Sequence, residues 1–137
     1  MITEDFAAYA ARVRITFPEQ MAPNAMQDML ESFMSGVAMD CLEAGTRLIG
    51  HIKSVVGNDD TLIACSVTDH DAHVRCRGRF ETPLKSVDII VNVLQYGLKK
   101  RDLMSIVAEC SKHCFVGSTS IVIEDLEVEE KELIRLG

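Results

Sequence analysis

The sequence predicts an α+β fold, a mainly antiparallel sheet of about five strands with helices packed on one face, in the order ααββββαβ. Three observations carry that expectation. Apolar residues recur at spacings of three and four between Met26 and Leu42, and again between Leu103 and Cys114, which is the period of a half-buried helix. They recur at every second position around 72–80 and 87–96, the period of a strand. Turn-forming clusters, Gly57-Asn58-Asp59-Asp60 and Asp69-His70-Asp71, separate the runs at short intervals.

The elements follow in order. Thr3 is read as the cap of a first helix running to about Thr16, with Glu4 and Asp5 where the helix dipole favours acids. Phe6, Tyr9, Ala10 and Val13 form its apolar side. A connector from Phe17-Pro18 to Pro23 precedes a second helix, capped by Asn24 with Gln27 in a capping-box position and ending at Gly45. Strands are expected over 47–56, 61–68, 72–80 and 87–96. Gly97 leads into a helix from Lys100 to about Cys114, and a last strand over 119–126 joins its predecessor in parallel through a right-handed crossover.

Composition bounds the function. The chain has 137 residues and reads as a single domain, 1–137, with an aliphatic core and no tryptophan. No apolar run reaches the roughly 18 residues that would span a bilayer. The acidic N-terminus lacks the basic start of an export signal, and five irregularly spaced cysteines point to free thiols in the cytoplasm rather than to a disulfide framework. The net charge of −7 is uneven: residues 1–43 carry about −5, residues 44–101 about +3 and residues 102–137 about −5.

The positive middle contains the most informative residues. His73, Arg75, Arg77 and Arg79 alternate with Val74, Cys76, Gly78 and Phe80, so a strand there presents one histidine and three arginines on one face and anchors the other in a core. The open face of the sheet is also expected to carry Arg47, His51 and Lys53 from the first strand, and Asp88, Asn92 and Tyr96 from the fourth. Three guanidinium groups in a row repel one another unless an anion or water covers them.

Three sources of that anion follow. Nucleic acid is disfavoured, because single-strand binding on a sheet needs exposed aromatics and the acidic chain gives no long-range attraction to a polyanion. A small phosphate- or carboxylate-bearing ligand is the second, with Lys99, Lys100 and Arg101 at a helix N-terminus as additional cations. The third is assembly as a homo-oligomer, with the acidic C-terminal residues from Glu124 onward meeting the arginines and the methionine-rich helix offering an apolar surface. Assembly is the preferred expectation.

No catalytic motif is present, and the sequence calls for no cofactor and no metal. Cys110 and Cys114 continue the apolar stripe of Leu103, Ile106 and Val107, with His113 at its rim. His70, His73 and Cys76 do not converge in strand geometry. His51 or His73 beside Asp88 is the nearest approach to a general-base pair.

Overall fold

The computed structural model describes residues 6–46, 48–58, 61–68 and 72–126. Six strands and two helices follow one another as β1 (Phe6–Met21), α1 (Pro23–Glu43), β2 (Leu48–Asn58), β3 (Thr61–Val67), β4 (Arg75–Arg77), β5 (Leu84–Tyr96), α2 (Lys100–Cys114) and β6 (Ser120–Asp125). The strands form one sheet in the order β4-β3-β2-β5-β1-β6, every neighbouring pair antiparallel. Both helices pack on one face, as expected for the fold class.

The first element is a strand, not a helix. Ala7, Tyr9, Ala11, Val13, Ile15 and Phe17 are all buried while the residues between them are not, which is the alternation of a strand with one covered face. Val13, Ile15 and Phe17 favour a pleated surface, and pairing with β5 on one side and β6 on the other secures it. Pro18 falls where the β1–β5 register shifts, between Thr16 and Met21, so its missing N–H breaks no regular ladder. The presence of β1 between β5 and β6 also removes the expected parallel join. The last strand pairs antiparallel with β1 instead, from Ala11 opposite Asp125 to Thr16 opposite Ser120.

Helix α1 begins with Pro23 in its first turn, and Ala22 is the N-cap, without a side-chain cap. Asn24 therefore lies inside the helix. Gln27 is buried there; its amide donates to Glu31 at 3.1 Å and its carbonyl oxygen accepts the Phe80 N–H at 3.3 Å. Met26, Leu30, Phe33, Met34, Val37 and Cys41 make the buried stripe. Helix α2 packs against it, with Phe33 and Phe115 in a tilted pair 5.5 Å between ring centres. Such a pair contributes about 1 kcal/mol beyond its buried area.

Two local features set which residues reach the open face. In β2, the register passes from Ile49 opposite Gln95 to His51 opposite Leu94, leaving Gly50 as the extra residue of a bulge. A β-carbon on Gly50 would lie 2.7 Å from the Leu94 carbonyl oxygen, so only glycine fits this close approach. The bulge reverses the side-chain parity, which puts His51, Lys53 and Val55 on one face and Ile52, Ser54 and Val56 on the other. At the sheet edge, Gly78 has φ +85° and lies against Leu62, whose carbonyl oxygen a β-carbon there would strike. This left-handed residue ends β4 after three residues, where the sequence predicts a strand over 72–80, and turns Phe80 into the core.

Candidate functional site

The sheet face away from the helices is built from alternate residues of all six strands. One cross-strand row runs Arg77, Ala64, Val55, Ile90, Arg12 and Glu124, each directly opposite the next. A second runs Arg75, Ser66, Lys53, Asn92 and Ala10. The centre of the face is mixed: Val55 is 39 % exposed, with half-buried Ile90, Leu94, Ala8, Ala10 and Ala64 around it and exposed Lys53 and Asn92 in the neighbouring row. Its two edges differ in charge. Arg75 and Arg77 stand on β4 and Glu124 on β6, while Asp125 points to the helix side with Ala11.

Two concavities lie on this face. Lys53, Val55, Ala64, Ser66, Arg75 and Arg77 line a trough of about 560 Å³ across β2, β3 and β4. His51, Lys53, Asn92, Leu94, Ala8 and Ala10 line a smaller one of about 240 Å³ across β2, β5 and β1. Lys53 borders both. The structure therefore brings His51, Lys53, Arg75 and Arg77 onto one surface; alternation in β4 places the arginines, and the bulge at Gly50 places His51 and Lys53. Arg79 lies past the turn at Gly78 and His73 precedes β4; both are exposed, and neither is part of the ladder. Arg47 and His70 lie outside the described residues.

The basic residues at the start of α2 belong to a different part of the molecule. Lys99, Lys100 and Arg101 begin a helix packed on the opposite face of the sheet, and their surroundings are already acidic. The Asp102 carboxylate accepts the Lys99 N–H at 2.9 Å, satisfying the helix N-terminus, and Lys100 pairs with Asp125 at 3.0 Å. They do not join the arginine row.

Arg12 and Arg14 are the open-face cations that sequence reasoning missed. Arg14 donates to both oxygens of Asp88, at 2.8 and 3.3 Å, which raises its pKa through the hydrogen bond first and the charge second. Arg12 lies 3.6 Å from Glu124. The signal was present in Arg12-Val13-Arg14-Ile15, which alternates as Arg75-Cys76-Arg77 does. Among the described residues, by contrast, no carboxylate lies within ion-pair distance of Arg77 or Arg79.

Asp88 is thus engaged by Arg14 and has no histidine beside it. His51 is opposite Leu94, six residues along β5 from Asp88, a separation of about 20 Å. His73 lies beyond Arg75 toward that same end of the sheet. The expected general-base pair is not formed.

The cysteines divide into two groups. Cys65 and Cys76 form a disulfide between β3 and β4, with Cα atoms 4.1 Å apart, contrary to the free thiols expected. They are directly opposite in register and point to the helix side, which the irregular spacing in the sequence conceals. Cys41, Cys110 and Cys114 remain free. Cys110 donates to Asp40 at 3.1 Å, and burial followed by the Asp40 charge pushes the Cys41 thiol up to about 12. All three thiols are raised by burial, so they stay protonated and weakly nucleophilic at neutral pH. Among the described residues no group of three or more histidine, cysteine or acidic side chains converges as a metal site.

No family model matches the chain, and no curated protein matches it.

Proposed function

We propose that the open sheet face is an assembly surface, on which Arg75, Arg77 and Arg79 of one copy engage acidic groups of a second copy of the same chain. The observation that carries this is the opposition of charge across one face, with Arg75 and Arg77 on β4 and Glu124 on β6. Five strand spacings separate those edges, about 24 Å, so within one chain the two cannot meet. Between two chains they can.

A face-to-face dimer with its two-fold axis parallel to the strands brings β4 of each copy over β6 of the other. The row Arg77-Ala64-Val55-Ile90-Arg12-Glu124 is then read by its partner in reverse. Arg77 joins the Arg12–Glu124 pair of the other copy at both edges, and Val55 meets Ile90 at the centre. Packed sheets lie about 10 Å apart, a gap that an arginine and a glutamate span together. The symmetry is closed, so association stops at two. A face about 24 by 23 Å buries roughly 550 Å² per copy, near the lower end of stable interfaces, which makes the dimer reversible.

Sedimentation of wild type and of the Arg75→Ala/Arg77→Ala/Arg79→Ala variant, at low and high salt, tests this. Wild type sediments as a dimer that weakens with salt, and the variant as a monomer. Equal masses at both salt concentrations would end the proposal.

The trough lined by Lys53, Ser66, Arg75 and Arg77 supports a second reading, a small ligand bearing phosphate or carboxylate groups. Such a ligand raises the melting temperature of wild type but not of the triple variant. No shift with a panel of phosphorylated and carboxylated metabolites at millimolar concentration rules it out. A cytoplasmic location belongs with both readings. No described helix is long and apolar enough to cross a membrane.

A further inference from the structure

We infer that the Cys65–Cys76 disulfide is a redox control on the arginine edge: reduced, β4 detaches and the assembly face loses Arg75 and Arg77. This rests on the assembly surface proposed above. The geometry that carries it is local. Strand β4 has only three residues and three paired positions, Ala64 with Arg77, Cys65 with Cys76 and Ser66 with Arg75. It is the outermost strand of the sheet, paired on one side. The central pair of the three is the disulfide, so the covalent bond lies between the two arginines whose position it fixes. A three-position edge ladder contributes few hydrogen bonds of its own, so the covalent bond carries a large share of what holds β4 in place.

A second observation comes from the other side of Cys65. Ser54 is opposite Cys65 in the β2–β3 register, on the same buried face, and its hydroxyl is the one buried side-chain polar atom without a hydrogen-bond partner among the described residues. Directly paired side chains start about 5 Å apart. An orphaned buried hydroxyl costs stability, and a disulfide sulfur gives it no donor. Reduction turns Cys65 into a thiol whose S–H can donate to the Ser54 oxygen. The fold thus carries a compensation that exists only in the dithiol state. In a reducing compartment, disulfides are characteristically transient or redox-sensing rather than structural.

The chemistry is thiol–disulfide exchange with an external dithiol. Its thiolate attacks one sulfur of the pair, the S–S bond breaks, and a mixed disulfide forms; the second thiol of the reductant then displaces the other cysteine. Two electrons and two protons pass to Cys65 and Cys76, and the reductant leaves as its own disulfide. Cys76 is the more exposed half-cystine and the one an incoming thiolate meets.

The test uses the full chain, oxidised and after treatment with dithiothreitol, with native alkylation followed by mass measurement to count the thiols released. Hydrogen exchange over residues 74–77 and the dimer dissociation constant are read in both states. Reduction is expected to raise exchange in that segment at least tenfold and the dissociation constant at least tenfold. The Cys65→Ser/Cys76→Ser variant should match the reduced protein whether or not reductant is present. Unchanged exchange over 74–77 on full reduction overturns the inference, and does so even if the protein is a monomer. If the triple arginine variant is monomeric while reduction leaves the dissociation constant of wild type unchanged, assembly stands and redox control falls. If the triple variant dimerises like wild type, the assembly surface itself fails, and exchange alone decides whether the disulfide holds β4.

Discussion

Strands β1 and β4 carry the same short pattern, arginine–apolar–arginine, on the same face of one sheet, and differ in what stands opposite. In β1, an inner strand, Arg14 faces Asp88 and Arg12 faces Glu124, so both guanidinium groups meet a carboxylate of their own chain. In β4, an edge strand, the residues opposite Arg75 and Arg77 are Ser66 and Ala64. Alternation determines which way an arginine points, but pairing determines whether its charge is answered internally. The β1 pair is structural by this criterion, whereas Arg77 of β4 has no carboxylate within ion-pair distance among the described residues.

The sharpest way to break that contrast is at Val55 and Ile90, which lie between the two regions. Val55→Asp lies at an exposed position, so the monomer keeps its fold, but in the dimer it desolvates a charge against Ile90 of the second copy. A central position of this kind should weaken association by at least ~30-fold, read by sedimentation equilibrium. If Val55→Asp associates like wild type, the sheet faces do not meet.

Smaller effects separate the two pairs directly. Arg77→Ala should weaken association by about tenfold with no change in the melting temperature of the monomer, whereas Arg14→Ala should leave association intact and lower the melting temperature by about 2 °C. The two residues thus exchange readouts. Were Arg14→Ala to lose the dimer and Arg77→Ala to lose stability, the assignment of roles would be inverted.

Why one pair was visible in the sequence and the other was not has a physical answer. Arg75-Cys76-Arg77 stands between turn-forming residues, so the period of two is unambiguous over its neighbours. In β1, alanines at 7, 8, 10 and 11 are compatible with either period and have the highest helix propensity. Val13, Ile15 and Phe17 carried the deciding alternation, but they fall at the end of the run. Pairing with β5 and β6, far away in the chain, overrode local propensity. Helix α2 and the face of β5 were legible because their patterns are long and strictly periodic.

The features that stayed hidden are all matters of register. The bulge at Gly50 decides that His51 and Lys53 reach the open face, and no local spacing announces a bulge. The disulfide requires Cys65 opposite Cys76 on the neighbouring strand, a pairing that three other cysteines obscured. The capture of Lys100 by Asp125 depends on β6 lying beside β1, which the expected strand order did not contain.

The pairing of Arg77 on one copy with Glu124 on the other is most directly tested by exchanging their charges. Sedimentation of Arg77→Glu, Glu124→Arg and the double variant gives the three masses needed. The proposed face predicts monomers for each single variant and a restored dimer for the double, since both salt bridges reform with their polarity reversed. A double variant that stays monomeric while folded, or single variants that dimerise like wild type, would contradict it.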